Sequence, residues 1–496
     1  MRAATAIGAG AAAGRPAFAR PTDGQAFDEA VSSRPWLKPF KGVTDQDLRC
    51  DALALSGRWP ADFRGRFYRN GPALNERGGQ RYHHWFAGDG MVQQFSFSGG
   101  ARPTVRHIGR LVRTPKLLAE QKAGKFLFAA YGTRIDSDEP AQGPDTFNVA
   151  NTNAIEHGGR VLAMWEGGSA YALSPDDLTT VGPVTWQEGL AQMPFSAHPK
   201  VDASGHLWNF GSAGANLVVW HVDPMGQLVK AQFGQSPYPG GMAHDAAVTA
   251  RHIVLPLPPV KLNFGEDVAG GQAFVYEPDQ PLRILVMRKD DIAQRRVFEL
   301  PAQMVFHVGN AHERADGSIV LSFVGSPTPE FVMHGAVDVM AGRPANFGGA
   351  STQRVLLDMR TGVARLEDMR DHVEFPRVHP LRHGLDARYL LTAASWAGSP
   401  GQPQPFHGLQ WRDMATGRAQ RFDYGPGTVV EEHIVVPKPG GRGELDAWLL
   451  GTTFDTRQGV ARVNLLDARH IADGPIAQAT LPYWLPYGFH GNFTAA

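Results

Sequence analysis

Asp358-Met359-Arg360-Thr361-Gly362 and Asp413-Met414-Ala415-Thr416-Gly417 share the form Asp-Met-x-Thr-Gly. Each reads as a hairpin turn leading into a strand, and the two lie about one propeller blade apart. The chain around them is a series of short strands. Gly65–Asn70 runs into a turn at Gly71-Pro72, Met91–Phe97 alternates before Gly99-Gly100, and Arg160–Trp165 follows a Gly-Gly turn. Ile253–Pro258 and Ser318–Val324 are further strands. Turn signals at such spacing, with weak internal repetition, favour a sandwich or a propeller. A chain of 496 residues is too long for one sandwich. The expectation is an all-β propeller of six to eight blades with insertions.

Composition agrees. The 57 glycines and 37 prolines exceed their usual shares of about 7% and 5%, and a 43% hydrophobic content supplies an ample core. The 48 basic and 48 acidic residues cancel, so no net field recruits nucleic acid or anionic lipid. Cys50 is the one cysteine, which excludes an internal disulfide and a thiolate metal cluster. A protein-bound metal must use imidazole or oxygen ligands.

Residues 1–30 are read as a leader or disordered segment and residues 31–496 as one propeller domain. The Ala- and Gly-rich start, with Ala17-Phe18-Ala19 in the small-x-small form of a signal-peptidase site, looks like the tail of a twin-arginine leader; a disordered tail is the competing reading. The protein is accordingly expected in the cytoplasm or peripherally on a membrane, or in the periplasm if the leader reading holds. Two stretches break the strand pattern. Pro115–Ala130 reads as a partly amphipathic helix and Thr328–Gly349 as a second insertion. Both are read as a cap packed over one propeller face, with a lip that dips into lipid as the alternative.

Four histidines stand in tight, turn-flanked apolar settings: His198 in Phe195-Ser196-Ala197-His198-Pro199, His244 in Gly241-Met242-Ala243-His244-Asp245, His307 in Val305-Phe306-His307-Val308-Gly309, and His490 in Gly488-Phe489-His490-Gly491. Pro199 keeps His198 extended and out of a helix. Intervals of 46, 63 and 183 residues are far longer than those of a zinc finger or a helical His pair. Residues so scattered meet only where many segments converge, and a propeller axis is such a place. Four neutral imidazoles suit a divalent first-row metal such as iron or zinc, and spacing alone does not choose between them.

The chain resembles the carotenoid cleavage oxygenases, a non-haem iron family that includes apocarotenoid oxygenases, stilbene-cleaving oxygenases and the retinal pigment epithelium isomerase. The matching stretches are Tyr68-Arg69-Asn70-Gly71-Pro72, His84-Trp85-Phe86-Ala87-Gly88-Asp89-Gly90-Met91 and Gly488-Phe489-His490-Gly491, together with the histidine segments above. The resemblance implies a seven-bladed β-propeller with a helical cap and a metal on its axis. It implies ferrous iron held by His198, His244, His307 and His490, with Glu166, Glu374 and Glu432 behind His244, His307 and His490 and no carboxylate behind His198. It also implies a hydroxyl, Thr152, beside the vacant position, where it limits water or orients oxygen. His83, His84 and His312 are left out of the ligand set. One departure is Ala87, where the family usually has Asp; it bears on local loop structure.

The reaction implied uses dioxygen to split an electron-rich C=C bond into two carbonyl products, with an apolar polyene (a carotenoid or apocarotenoid) as substrate and no obligate protein partner. Two readings compete: cleavage of a phenolic stilbene or phenylpropenoid, and a non-catalytic metal-stabilised propeller scaffold. Stilbene-cleaving relatives carry a lysine just before the glutamate matched by Glu166; this chain has Trp165, which offers an apolar face and one N–H donor but no charge for a phenolate.

Overall fold

In the computed structural model, which describes residues 24–135, 137, 139–262, 273–346, 349–396 and 406–496, both Asp-Met-x-Thr-Gly segments are hairpin turns. Asp358 accepts hydrogen bonds from the backbone N–H groups of Arg360 and Thr361 at 2.9 and 3.0 Å. Asp413 accepts from those of Ala415 and Thr416 at 2.9 and 3.2 Å. Gly362 and Gly417 close the turns at φ +82° and +72°, where a side chain would be strained. The first turn joins Ser351–Leu357 to Ala364–Asp368 and the second joins Gly408–Asp413 to Ala419–Asp423. They are the same connection in consecutive blades.

Seven antiparallel sheets of at least four strands form the blades of a seven-bladed β-propeller. Two-stranded ribbons at Glu76–Arg77 with Gln80–Arg81, and at Val260–Leu262 with Phe274–Tyr276, are additions to it. Both chain ends close the ring. The C-terminal strand His490–Ala495 pairs with Gly65–Asn70 in the first blade, while Ala54–Gly57 pairs with Pro475–Thr480 in the last. A buried ion pair reinforces the closure: Arg69 of the first blade meets Glu431 of the last at 2.5 Å and donates to the Pro486 carbonyl at 3.0 Å.

The core is a series of apolar layers between blades. Phe67 and Phe95 of the first blade pack on Ile434, Trp448 and Leu465 of the last, and burial of such side chains stabilises by about 1.5–3 kcal/mol each. Between the fifth and sixth blades the apolar clusters are small, and buried Asp371 supplies part of the contact. It accepts hydrogen bonds from Thr352, Gln410 and Arg412 at 2.7–3.0 Å.

Glu313 ties the fifth blade to the fourth by accepting from the Thr249 hydroxyl, the Arg251 backbone N–H and guanidinium, and His252, at 2.6–3.0 Å. Burial opposes its charge, but these donors override it and lower its pKa to about 2. The stabilisation is therefore complete above the ordinary carboxylate range near pH 4.5 and is lost as pH falls towards 2. Glu313→Gln should lower Tm at pH 7, with the difference from wild type closing between about pH 4.5 and 2. A difference independent of pH would refute this reading.

The cap contains α1 (Gly24–Ser33), α2 (Pro115–Ala123) and α3 (Ala336–Met340) with short 3-10 turns at Pro35–Phe40 and Trp85–Ala87. Phe27 of α1, within the span expected to be leader, is buried in the cap core with Trp36, Phe40, Trp85 and Phe126; the signal-peptidase-like stretch itself lies outside the described residues. The helix expected over Pro115–Ala130 stops early because Gly124 turns left-handed at φ +67°. Phe126, Leu127 and Phe128 are buried beyond it. Ala87 lies fully buried in the cap core, so the departure from the expected Asp is filled by apolar packing. No helix among the described residues is long and apolar enough to cross a membrane.

Candidate metal centre

The four histidines enter the axis from different blades. His198 precedes the inner strand Lys200–Val201 of the third blade, His244 precedes Ala247–Val248 of the fourth, His307 lies in Met304–Glu313 of the fifth, and His490 opens His490–Ala495 of the first. Strand pairing is irregular where side chains must be re-aimed: between Val305 and Val308 around His307, between Glu374 and Arg377, and between Val430 and His433 around Glu432. Such bulges bend a strand and turn a side chain out of the regular alternation. Phe375 sits at φ +57°, an uncommon conformation for a bulky residue. Its N–H donates to the Glu374 carboxylate at 2.5 Å, which aims that side chain at His307.

The imidazoles are buried and mutually close. Nε2 of His244 lies 3.1 Å from Nε2 of His198 and 3.3 Å from Nε2 of His307, and one ligand atom from each of the four falls within 4.8 Å of every other. Their outer nitrogens face carboxylates. His307 Nδ1 donates to Glu374 at 2.5 Å and His490 Nδ1 to Glu432 at 2.9 Å, while His244 Nδ1 meets Glu166. A carboxylate on Nδ1 fixes that proton outward and leaves the Nε2 lone pair facing the axis. Glu432 is itself clamped by Arg377 through two 2.9 Å bonds and accepts from the Gly491 N–H at 2.8 Å.

Sequence reasoning missed Asp245. This fully buried carboxylate lies 3.8 Å from Nδ1 of His198, accepts from Lys200 Nζ at 2.8 Å and from the Val308 N–H at 2.8 Å. The available signal was its adjacency to His244.

Protonation suits metal binding at His198 and His490. Burial, then the neighbouring His244 imidazole, holds His198 well below the usual histidine range. Burial also pushes His490 down to about 4 despite Glu432. His307 goes the other way: burial opposes its charge, but Glu374 overrides it and raises its pKa. Glu432 is lowered to about 2, because Arg377 and His490 outweigh the burial that would raise it.

The charges have the same sense. Glu166, Glu374, Glu432 and Asp245 are answered by Arg377 and Lys200. With neutral imidazoles, the shell carries two negative charges in excess. Converging lone pairs and an uncompensated, half-buried negative charge are both unfavourable without a cation. A divalent ion corrects both, so these residues fit one.

A cavity reaches this cluster past Phe86, Trp165, Phe274, Phe306 and Phe489, and Thr152 stands in its wall. The Thr152 hydroxyl donates to Asn151 Oδ1 at 3.0 Å. Trp165 faces the cavity because its indole lies over Gly167: a Cβ there would come within 2.6 Å of the ring. The excluded histidines lie elsewhere. Buried His84 bonds the Val332 carbonyl in the cap at 2.9 Å, and His312 faces Asp386 at 3.6 Å.

The family model for the retinal pigment epithelial membrane protein matches residues 42–495. The apocarotenoid-15,15'-oxygenase of Synechocystis sp. is 30% identical, with 94% of this chain and 97% of that protein covered. Lignostilbene-alpha,beta-dioxygenase isozyme III of Sphingomonas paucimobilis is 29% identical, covering 90% of this chain and 94% of the relative. Among solved structures, cobalt-substituted Synechocystis apocarotenoid oxygenase superposes with a TM-score of 0.82 at 28% identity, over 93% of this chain and 99% of that one.

Proposed function

The chain belongs to the retinal pigment epithelial membrane protein family and is a dioxygenase, and from that premise we propose that it uses ferrous iron and dioxygen to split a C=C bond of a carotenoid or apocarotenoid into two carbonyl products. The ion would be held by His198, His244, His307 and His490, the last three each oriented from behind by a glutamate. When bound, ferrous iron supplies the activation of dioxygen.

The protein's part is to bind, orient and exclude water. An apolar, aromatic cavity removes polyene surface from water at roughly 25 cal/mol per Å² and places the chain beside the histidine cluster. Thr152, with its hydroxyl hydrogen committed to Asn151, narrows the space for water next to the cluster. Asn151 is fixed in turn by donating to the Phe86 and Gly88 carbonyls at 2.9 and 2.8 Å. No side chain is needed as nucleophile or general base.

One observation carries the choice of substrate: among the described residues that line the cavity, none is Lys or Arg. A phenolate would meet no cation there and would face Glu166, whereas a polyene end needs none. The second reading, a phenolic alkene, has Tyr131 in the cavity wall and the lignostilbene-cleaving relative in its favour. Iron-loaded protein should therefore show a higher kcat/KM on β-apocarotenals than on resveratrol, with two carbonyl products found by mass spectrometry. The reverse order would promote the phenolic reading. Turnover of neither, with iron bound, would count against both substrate readings.

A further inference from the structure

Three of the four histidines have a glutamate on Nδ1, and His198 has none within hydrogen-bond reach. Asp245 occupies the place such a group would take, at one remove. Its Oδ2 is 3.8 Å from His198 Nδ1. The same oxygen accepts from the Val308 N–H at 2.8 Å, directly after His307. Its Oδ1 accepts from Lys200 at 2.8 Å, two residues after His198, and from the Ala246 N–H at 2.7 Å. Its own backbone continues from His244. One carboxylate with 4% residue exposure therefore joins the segments that carry His198, His244 and His307. On the far side Ser196 does related work: its hydroxyl accepts from the His198 N–H at 3.2 Å and donates to the His244 carbonyl at 3.3 Å.

We propose that Asp245 is a positioning residue for the metal centre, holding three of the four ligand segments in register and placing a negative charge behind the one histidine that has no glutamate. The inference rests on the reading that the four histidines bind a metal. Two physical consequences separate it from ordinary core packing. Loss of the carboxylate removes one negative charge from a shell that balances a divalent cation, so affinity falls even where the fold is intact. It also releases the His198 and His307 segments from one another, so the ligand field changes.

Lys200 provides the control, because Asp245→Asn alone leaves its ammonium without a partner, an effect on folding that has nothing to do with metal. Asp245→Asn, Lys200→Met and the double variant would be compared in three measurements: Co²⁺ affinity by chelator competition, the visible spectrum of the Co²⁺ protein, and the Tm of the metal-free protein. Asp245→Asn should bind Co²⁺ about 10- to 100-fold more weakly, the range found when a group supporting a ligand is removed, with an altered spectrum. The double variant, whose net charge equals that of the wild type, should regain the metal-free Tm and part of the affinity but keep the altered spectrum. Lys200→Met alone, which keeps the carboxylate and its two backbone bonds, should bind at least as tightly as wild type.

Wild-type affinity and spectrum in the double variant would overturn the proposal, and this holds even if the single Asp245→Asn protein does not fold. Failure of the wild-type protein itself to bind Co²⁺ would instead overturn the metal-site reading beneath it.

Discussion

Alanine at any one of His198, His244, His307 or His490 should abolish both bound iron and cleavage activity while the metal-free propeller keeps its Tm. The reason lies in where these side chains sit. They stand at or near the axial ends of inner strands on four blades, outside the apolar layers between blades that stabilise the fold. Removing one imidazole also relieves the crowding of lone pairs within 4.8 Å, so the metal-free protein loses nothing essential. Glutamine at Glu166, Glu374 or Glu432 should do less, about 10- to 100-fold in metal affinity or rate, because each ligand survives and only its orientation and basicity suffer. Metal analysis after anaerobic reconstitution, oxygen consumption and circular dichroism on the same preparations would test the series. A histidine variant with stoichiometric iron and full activity would remove that residue from the ligand set. Indifference to all three glutamine changes would end the supporting role of the carboxylates.

Lys116→Met should destabilise the protein by about 3–5 kcal/mol, the usual result of deleting one partner from a buried ion pair, read as a lower urea midpoint. Lys116, the second residue of α2, has 1% of its side chain exposed, and its ammonium donates to Asp89 at 3.0 Å, Glu120 at 2.9 Å and the Tyr82 hydroxyl at 2.6 Å. Glu120 also accepts from the N–H groups of Leu127 and Phe128 at 3.0 and 3.3 Å. Without the ammonium, two carboxylates stay buried with only the Arg77 guanidinium, which forms no hydrogen bond to either, to offset their charge. Burial, with Glu120 adding to it, already raises Asp89 to about 6 even though Lys116 lowers it. The cluster ties α2 to the strand that begins at Asp89, so the cap over the cavity should loosen first. Faster proteolysis between Pro115 and Ala130, with the blades still intact, is the local signature. An unchanged urea midpoint would mean that the cluster is a surface-like pairing of little consequence.

Much of this was legible along the chain because it depends on neighbours. An Asp that accepts from the backbone N–H groups two and three residues on and a glycine that turns left-handed sit within five residues of each other, so the Asp-Met-x-Thr-Gly turns announce hairpins without tertiary help. Pro199 after His198 and the glycines around His490 are local in the same way. The spacing of the four histidines required many segments to converge, and a propeller axis answers that. The blade number and the identity of iron came instead from resemblance.

Other features were out of reach. Glu120 reads as part of a helix's polar side, yet it is fully buried, because the Leu127 and Phe128 amides that it bonds reach it only once the chain folds back after Gly124. Trp165 faces the cavity because Gly167 lets the indole lie across the backbone, and no pattern of neighbours shows that packing. The bulges that aim His307, Glu374 and Glu432 are properties of strand pairing, and pairing partners lie in other parts of the chain. Asp245 is the sharpest case. Beside His244 in sequence it looks like a turn residue, but it contacts the segments of His198 and His307, which lie 46 and 63 residues from His244. Hydrogen bonding and burial depend on distances in space, and those are set only when seven blades close around one axis.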